Sequence, residues 1–549
     1  MQPKVLIIGI DAATFDIIEP LVNKGLLPTF KHLMQKGSFG KLISTIPPVT
    51  PPAWTSIVTG KNPGKHGVFD FYMPPCFGYN RRILTAKANR AKTLWKLLSE
   101  RGLKVGVLNV PLTYPPEKVN GFIVPGMQCA IYANQDFIYP KELFFELKNV
   151  LGKYEIVWGD LKSLYTNELD EFLDKWEEIL EIRKKATLYL MQKYSWDFFM
   201  VVFYVIDPIQ HHFWKFFDKT HPLYEPALAQ KYEMIIPHFY QKLDEAIAKI
   251  LRYVDENTTI FIVSDHGAGA EIKSFYLNLW LKKEGLLKFK EFSYNFLARM
   301  RWPHFIYKAL KRLKYPGISW TVPLNQLKEL KRDIDPREGL EVSYFIDWPN
   351  TKAFAGNHTE QGIYLNVKGR EPQGIVSEGK EYEELREYIT HRLYQLKDPE
   401  TNEKVVDKVY KKEEVYHGSY IKFAPDLFLV LKGGSYLAQK EIYPGPLFRY
   451  TNKTTGTHRL EGIFITFGKG IKKGKKINKV HVTDITPTIL ALFKQPIPKD
   501  MDGRVLKEIM EEEIKIRYEE VISQKDIKEI FSFKEEEEIK KMLKNLGYL

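Results

Sequence analysis

The sequence predicts an α/β protein with a doubly wound, mostly parallel central sheet that is flanked by helices and interrupted by inserted cap and lid segments. Short apolar runs alternate with helical segments along the 549 residues, which is typical of a parallel sheet covered on both faces. Several of these runs are followed by carboxylate or imidazole side chains, at the edge where open α/β sheets bind ligands. A chain of this length exceeds one compact core, so two or three lobes are expected.

The first elements follow this alternation closely. Val5–Ile10 is a continuous apolar run, typical of a central strand buried on both faces, and Asp11 follows it at once. A helix is predicted at Pro28–Lys36. The helix Thr93–Glu100 and the strand Val105–Val110 form the next pair of the α/β pattern.

The stretch Pro47–Phe71 interrupts this regular pattern. It has too many prolines and glycines for one helix or strand, but Ala53–Thr59 predicts a short helix. Thr50 is expected just ahead of this helix on a proline-stiffened turn, where free N–H groups and the positive end of the helix dipole favour an anion. For this residue alone, an ordinary N-cap threonine is the alternative interpretation.

The middle of the chain begins with a helical region, 140–193, which is expected to form a cap inserted into the sheet domain. The apolar run Phe198–Ile206 then predicts a second buried strand that delivers Asp207, and His211 follows four residues later. A helix over 227–251, kinked by a proline, leads to the next strand.

A third strand, predicted at Thr259–Val263, is followed by Asp265 and His266. Any one of these strand-end side chains could be a helix cap or a satisfied core residue. Grouped at one edge of a sheet, however, carboxylates and imidazoles without a thiolate are typical ligands of borderline-to-hard divalent metals. The three strand ends together therefore predict a metal site.

The rest of the chain is predicted to leave the central sheet and return to it. The apolar runs Asp426–Leu431 and Gly462–Phe467 are expected to rejoin the sheet, and a helix is predicted at Asp484–Phe493. The expected divisions are core at 1–135, a helical cap at 136–195, core at 196–270, a basic aromatic insertion and lid at 271–420, core at 421–510, and a charged helical tail at 511–549.

Several segments resemble the alkaline phosphatase superfamily and, within it, the type I phosphodiesterase/nucleotide pyrophosphatase family. The segments are IIGIDA, TSIVTGKNPGKHG following Thr50, DPIQHH, SDHG, GTHRLEGIFITFGKGI and DITPTIL. They lie in the first 70 residues, at 200–268 and at 424–505, and cover about half of the chain. The resemblance implies an alkaline-phosphatase-like α/β core and a hydrolase acting on small phosphoesters such as nucleotides or other diesters.

The resemblance also implies a two-metal site, with zinc as the expected metal and manganese as the alternative. Its ligand sets offer only nitrogen and oxygen donors: Asp207, His211 and His458 for one ion, and Asp11, Asp265, His266 and the Thr50 hydroxyl for the other. Thr50 would be the nucleophile and would form a phosphothreonine intermediate. A threonine hydroxyl titrates far above pH 7, so it needs a metal to act as an alkoxide.

The chain departs from the family pattern at two motif positions. By spacing, Phe71 occupies the place of an asparagine that donates to a phosphate oxygen in the pyrophosphatases, and Asn109 is the expected substitute for substrate binding. The family's D-x-x-G-H pattern reads DPIQH here, with Gln210 in place of the glycine. The large insertion after His266 is not a standard nucleotide-binding feature, which leaves the substrate open.

Other functions within this superfamily were weighed. A phosphomonoesterase or a cofactor-independent phosphoglycerate mutase shares the metal scaffold, although the mutase generally uses serine. A phospho-group transferase for lipid head groups also uses threonine and would suit a basic insertion. A sulfatase is excluded because it needs cysteine in place of Thr50 and arginine in place of Trp54. A metal-binding but inactive protein would have lost a ligand or the nucleophile, and all seven positions are intact.

The whole chain carries a formal net charge of +13. Its positive charge is concentrated in one stretch. Between 282 and 314 there are ten Lys and Arg against two Glu, interleaved with aromatic and aliphatic residues. Such a stretch could contact an anionic membrane surface or hold a polyanionic substrate. A lid whose charges face water is the preferred interpretation. No nucleic-acid module is visible, and the sequence predicts no particular oligomeric state.

The composition favours a cytoplasmic location. Cys76 and Cys129 are too few for a disulfide framework. The apolar run at the N-terminus is too short for a signal peptide, and the longest run, Phe198–Ile206, is half a membrane span. The Lys- and Glu-rich, Cys-poor composition is also typical of proteins from heat-adapted organisms.

Overall fold

A computed structural model describes residues 3–127, 137–152, 169–290, 342–442, 445–451 and 454–520. Its strands, in chain order, are β1 (Lys4–Ile10), β2 (Ser38–Ile43), β3 (Val105–Leu108), β4 (Gly121–Val124), β5 (Phe198–Phe203), β6 (Thr258–Val263), β7 (Gly267–Ala270), β8 (Lys273–Tyr276), β9 (Ala353–Ala355), β10 (Gly362–Leu365), β11 (Val406–Lys411), β12 (Leu427–Leu431), β13 (Tyr436–Gln439), β14 (Phe448–Tyr450), β15 (Gly456–Arg459), β16 (Glu461–Gly468), β17 (Lys475–Lys476), β18 (Val480–His481), β19 (Ile497–Pro498) and β20 (Tyr518–Glu519).

The α-helices of the described ranges lie between these strands and cover the faces of the sheets. They are α1 (Phe15–Asn23), α2 (Pro28–Lys36), α3 (Thr50–Thr59), α4 (Pro63–His66), α5 (Leu94–Glu100), α6 (Glu142–Leu151), α7 (Leu169–Lys193), α8 (Ile206–Phe217), α9 (Pro226–Tyr232), α10 (Ile235–Leu251), α11 (Leu277–Lys283), α12 (Lys380–Tyr394), α13 (Lys412–Val415) and α14 (Ile485–Leu492).

The central sheet has nine strands in the order β17-β2-β16-β6-β1-β5-β3-β4, with β18 also paired to β2. Strands β6, β1, β5, β3 and β4 are parallel to one another, whereas β16 runs antiparallel to both of its neighbours. The predicted class, a mostly parallel doubly wound sheet flanked by helices, is therefore confirmed. The strand β1 lies at its centre, between β5 and β6.

Both faces of this sheet are buried, which explains why its strands are continuous apolar runs. Leu6, Ile8 and Ile10 pack on one face with residues of α1, α2, α7, α8 and α10. Val5 and Ile7 pack on the other face with residues of α3, α5 and α14. Alternate side chains of β1 thus enter two separate cores, and the carboxyl end of the strand is free to present polar residues.

Two further sheets belong to the segment inserted after β7. One has four strands in the order β11-β12-β10-β9, and the other has three in the order β13-β8-β14. A buried polar network ties the four-stranded sheet to the loop after α4. Arg81 forms an ion pair with Glu360, while Asn357 and Thr359 donate to the carboxylate of Asp70.

Several predicted elements differ in the structure. The run Asp426–Leu431 does not return to the central sheet: β12 pairs with β10 and β11. An apolar run indicates a buried strand but not the sheet that contains it. The helix predicted over 227–251 is divided into α9 and α10, because Pro237 is accommodated in the first turn of a new helix.

The described part of the C-terminal tail also differs from the helix that the sequence predicts. Residues 511–520 contain no helix and end in β20, which pairs in parallel with β19. Ile514 and Ile516 pack against the core. Apolar residues at every second position are typical of an extended chain, in which alternate side chains point to opposite sides. The rest of the tail, 521–549, lies outside the described residues, as does most of the basic stretch, of which only 282–290 is described.

None of the helices in the described ranges combines the length and the hydropathy needed to cross a bilayer. The division of the chain into core, cap, insertion and tail stays a prediction.

Candidate active site

Three neighbouring strands of the central sheet end at the same place, and each is followed by polar residues. Asp11 follows β1, Asp207 is the second residue of α8 after β5, and Asp265 with His266 follows β6. Strands β5, β1 and β6 are adjacent and parallel, so these side chains meet at one edge. Asp207 was expected at a strand end, but β5 stops at Phe203 and the carboxylate is carried by the first turn of the helix.

His458 comes from a distant part of the sequence. It lies on β15, which pairs antiparallel with β7 and places His458 opposite Ala268, two residues beyond His266. The rings of His266 and His458 are stacked with their centroids 3.8 Å apart. The pairing of two short strands therefore completes the group of polar residues that the strand ends begin.

The side chains form two overlapping groups that could each hold a metal ion. Asp207, His211 and His458 form one, and Asp11, Asp207 and His266 form the other; in each group the ligand atoms lie within 4.8 Å of one another. Asp265 Oδ2 is 3.2 Å from Nε2 of His266, so this carboxylate adjoins the second group. Asp207 belongs to both groups, whereas the sequence assigned it to one ion only.

All three imidazoles are oriented in the same way. Nδ1 of His211 lies 2.6 Å from the carbonyl oxygen of Gly456, Nδ1 of His458 lies 2.9 Å from that of Pro48, and Nδ1 of His266 lies 3.1 Å from that of Gly267. A carbonyl oxygen only accepts, so each Nδ1 carries a proton, and Nε2 is the ring atom that can bind a metal once it is deprotonated. The three Nε2 atoms face the carboxylates, as metal ligands require.

Thr50 adjoins the second group. Its Oγ lies 3.2 Å from Nε2 of His266, and the side chain is buried. Thr50 is the first residue of α3 rather than a residue ahead of it, because Pro51 and Pro52 are suited to a first helical turn. These prolines have no N–H, so this helix end offers fewer free donors than the sequence interpretation assumed.

The aspartate carboxylates lie close to one another, and their pKa values are shifted as a result. Burial and the charge of Asp207 raise the pKa of Asp11 well above its usual value, and burial with the charges of Asp11 and Asp207 does the same for the pKa of Asp265. Burial opposes the ionisation of Asp207 as well, but His211 and His458 outweigh it and hold the pKa of Asp207 well below its usual range. The site thus concentrates negative charge that a cation would neutralise.

The imidazoles differ from one another in charge. Burial lowers the pKa of His211, but the Asp207 carboxylate more than compensates and raises it to about 9. Burial lowers the pKa of His266 well below its usual value, so this ring is neutral beside Thr50. A neutral ring with a free Nε2 is the form that binds a metal.

Two residues that support the site were missed as site residues by sequence reasoning. The indole N–H of Trp54 donates to Asp11 Oδ2 at 3.2 Å, and Ser264 Oγ accepts from the N–H of Ala13 at 2.9 Å. The SDHG motif contains Ser264, and Trp54 lies four residues after Thr50, so both were visible in the sequence. Their contacts depend on how α3 and β6 approach the loop after β1, which no sequence pattern specifies.

The structure does not bring Asn109 into either ligand group. It follows β3 in the left-handed conformation, with φ 60°, and its Oδ1 accepts a hydrogen bond from the guanidinium of Arg183. Its role in substrate binding stays a prediction. Phe71, which occupies the place of the family's asparagine, is fully buried and packs in the same core as Val49, the residue before Thr50.

Gly456 allows the His458 segment to approach α8. A Cβ on Gly456 would lie 2.2 Å from the carbonyl oxygen of Gln210 and 3.1 Å from Cβ of Trp214. The same glycine offers its own carbonyl oxygen to His211 Nδ1. A glycine is therefore required here for close backbone contact, and both histidines of the first ligand group depend on it.

Gly456→Ala is expected to push the strand β15 away from α8 because backbone atoms cannot yield as a flexible side chain can. The expected results are a loss of about 1–3 kcal/mol in unfolding free energy and, if the two ligand groups hold a divalent metal ion, weaker binding of that ion. Thermal unfolding and a zinc titration of the metal-free variant measure both. Wild-type values in both experiments would contradict the requirement for glycine.

A doubly wound sheet whose carboxyl edge gathers aspartate, histidine and threonine in this way is the architecture of the alkaline phosphatase superfamily. The model of one of its families, type I phosphodiesterase/nucleotide pyrophosphatase, matches residues 5–461. The chain belongs to that family and is a phosphodiesterase/nucleotide pyrophosphatase-like hydrolase.

Solved structures similar to the chain include human ectonucleotide pyrophosphatase/phosphodiesterase 5, with a TM-score of 0.49 and 14% identity over 93% of this chain and 100% of that one. The murine protein matches with a TM-score of 0.49 and 13% identity, over 92% of this chain and 100% of the murine one. An inactive variant of the murine protein in complex with AMP matches with a TM-score of 0.48 and 12% identity, over 92% of this chain and 97% of that one. No curated protein matches the chain significantly.

Proposed function

We propose that the protein hydrolyses phosphodiesters or nucleotide pyrophosphates at a site with two divalent metal ions, and that Thr50 forms a covalent phosphothreonine intermediate. The observation that carries the proposal is the convergence of three imidazole Nε2 atoms and three aspartates beside the Thr50 hydroxyl. Zinc is the proposed metal and manganese the alternative, since the donors are nitrogen and oxygen without thiolate.

The residues present fit such ions. Oδ1 of Asp11, Oδ2 of Asp207 and Oδ2 of Asp265 are buried and make no hydrogen bond within the described part of the chain. A buried carboxylate oxygen without a donor costs free energy unless a cation satisfies it. Asp207, His211 and His458 would hold one ion, and Asp11, Asp265, His266 and Thr50 the other, with Asp207 placed to contact both.

Bound divalent ions would lower the pKa of the threonine hydroxyl and of water and would neutralise charge on the phosphoryl oxygens. The chain's own residues supply the rest. Thr50 is held at the start of α3, so its Oγ projects from a rigid helix end beside His266. Without an ion, the Thr50 hydroxyl donates to Nε2 of His266, because Nδ1 of that ring already carries its proton. An ion at the second ligand group would be bound by both of these atoms instead.

The covalent step transfers the phosphoryl group to the chain. Thr50 Oγ forms a bond to phosphorus while the bond from phosphorus to the leaving oxygen breaks, and the leaving group departs as an alcohol or a phosphate. Water then forms a bond to phosphorus while the bond from phosphorus to Thr50 Oγ breaks; one proton of the water restores the Thr50 hydroxyl, and the product leaves as a phosphomonoester. The positive end of α3 favours the negative charge on phosphorus oxygens throughout.

The direct test compares turnover of bis-(p-nitrophenyl) phosphate with that of p-nitrophenyl phosphate. Metal-stripped protein refilled with zinc or manganese is assayed at mildly alkaline pH. A preference for the diester is expected. A preference for the monoester would favour the alternative, a phosphomonoesterase or phosphomutase of the same superfamily, and no turnover of either ester with either metal would contradict the proposal.

Metal removal should change stability as well as activity. Because Asp11, Asp207 and Asp265 repel one another when no cation is present, chelation is expected to lower the thermal unfolding temperature and zinc to restore it. At a free zinc concentration about a thousandfold above Kd, the gain is about 4 kcal/mol per site. Scanning calorimetry of stripped and refilled protein measures it, and identical unfolding temperatures would show that these residues bind no metal.

We also propose a cytoplasmic location, with contact between 282–314 and an anionic membrane surface as the hypothesis to test against a lid whose charges face water. The basic and aromatic composition of that stretch and the scarcity of cysteine support this location. Neutralising Lys311, Arg312 and Lys314 should reduce sedimentation with vesicles that contain phosphatidylserine, and should not change turnover of a small soluble ester. If small-ester turnover falls instead, the stretch acts at the catalytic site. A phospho-group transferase at a membrane surface is the related alternative.

A further inference from the structure

Gln210 stands where the family pattern has glycine, on α8 between the ligands Asp207 and His211. Its side chain is 1% exposed, and both ends of its amide are hydrogen-bonded. Nε2 donates to the carbonyl oxygen of Ala12 at 2.9 Å, and Oε1 accepts from the hydroxyl of Tyr240 at 3.2 Å. The substitution has therefore introduced two contacts that a glycine could not make.

The orientation of this amide follows from its partners. The carbonyl oxygen of Ala12 can only accept, so the amide NH₂ must face it and Oε1 must face Tyr240. Burial raises the pKa of Tyr240 far above its usual value, so the tyrosine is neutral and can donate. The backbone N–H of Thr14 in turn donates to the Tyr240 oxygen at 3.3 Å. The contact with Ala12 is thus supported from α10.

Ala12 lies at a critical place because it follows the ligand Asp11 directly. Its backbone is left-handed, with φ 59°, a conformation that a residue with a Cβ holds only when its surroundings impose it. On the side of β6, the N–H of Ala12 donates to Oδ1 of Asp265 at 3.4 Å and the N–H of Ala13 donates to Ser264. On the side of α8, its carbonyl oxygen is held by Gln210.

We propose that Gln210 is a positioning residue that couples the two metal-ligand groups. By joining α8, which carries Asp207 and His211, to the turn after Asp11, it holds one ligand group in register with the other. The inference rests on the proposed two-metal function. Asp207 must serve both groups, so a shift between α8 and this turn would weaken the binding of metal although every ligand remains present.

The test is the variant Gln210→Met, which keeps an unbranched side chain of similar length and removes both hydrogen bonds. Zn²⁺ is titrated into the metal-free full-length protein in competition with a chromogenic chelator. Loss of a contact that orients metal ligands typically weakens metal affinity by about 10–100-fold, and this range is expected here. On bis-(p-nitrophenyl) phosphate, kcat is expected to fall by a larger factor than KM rises, since the substitution disturbs ligands rather than a substrate contact.

Tyr240→Phe is the milder companion variant. It removes the donor to Gln210 Oε1 but leaves the contact with Ala12, so a smaller loss of zinc affinity in the same direction is expected. If Gln210→Met fails to fold, this variant decides the question, because Phe occupies the same core position without the hydroxyl.

Gln361→Met is the matched control. Gln361 is also buried, and both ends of its amide are also hydrogen-bonded, here to the backbone of His358 and Ala438 in the inserted segment. Its substitution should reduce stability and leave zinc affinity at the wild-type value. If Gln210→Met and Tyr240→Phe bind zinc as tightly as the wild type, the positioning role is overturned while the proposed function stands. If wild-type protein binds no zinc and cleaves no phosphoester, both fail together.

Discussion

Thr50→Ala is expected to reduce turnover of bis-(p-nitrophenyl) phosphate by about 10³-fold or more, because the variant lacks the hydroxyl that accepts the phosphoryl group in the proposed mechanism. In the described structure the Thr50 hydroxyl lies beside His266 and the aspartates, at the start of α3. The substitution removes one oxygen and one methyl group, so the fold and at least one metal ion should be retained. Steady-state kinetics, circular dichroism and zinc content measure the three expectations.

Thr59→Ala is the matched control for this variant. Thr59 lies at the other end of the same helix, and its hydroxyl donates to the carbonyl oxygen of Thr55. The control removes the same atoms from the same helix and should keep turnover close to that of the wild type. Full activity in Thr50→Ala would contradict the assignment of the nucleophile.

Asp207→Asn is expected to have the second largest effect, the loss of both metal ions. Asp207 belongs to both ligand groups, and its two oxygens lie 3.2 Å from Nε2 of His211 and 3.4 Å from Nε2 of His458. Asparagine has nearly the same shape but one neutral acceptor in place of a charged carboxylate, so it should not hold two cations. Zinc content after desalting is expected to fall from two ions to fewer than one, and diester turnover is expected to fall with it.

His458→Gln provides the comparison for Asp207→Asn. His458 belongs to one ligand group only, so this variant should lose one ion and keep the other. Parallel zinc analysis of the two variants therefore distinguishes a shared ligand from a ligand of one ion. Two retained zinc ions in Asp207→Asn would contradict the shared role.

The fold and half of the site could be predicted from local pattern. Apolar runs buried on both faces, such as β1, are visible in any sequence, and a polar residue directly after such a run must lie at the sheet edge. This reasoning is sufficient for Asp11, Asp265 and His266. It placed the end of the strand before Asp207 a few residues too late. The apolar residues continue through 204–206 into the start of α8, so they do not mark where β5 ends.

The remaining site residues depend on contacts between distant segments. His458 was identified only through the family resemblance, because β15 and β7 are short strands without a distinctive period. The need for glycine at 456 arises from backbone contact with Gln210, and the contact of Trp54 with Asp11 arises from the packing of α3. The same limit explains β12: an apolar run shows that a strand is buried but not which sheet it joins.

The measurement that tests the central claim most directly is a search for the covalent intermediate. Zinc-loaded protein is mixed with excess bis-(p-nitrophenyl) phosphate, quenched with acid during turnover and digested for peptide mass spectrometry. The account predicts a p-nitrophenylphosphoryl group on Thr50 in wild-type protein and in Thr59→Ala, and none in Thr50→Ala. Turnover of the diester with this peptide unmodified at every quench time, or with the adduct on another residue, would contradict it.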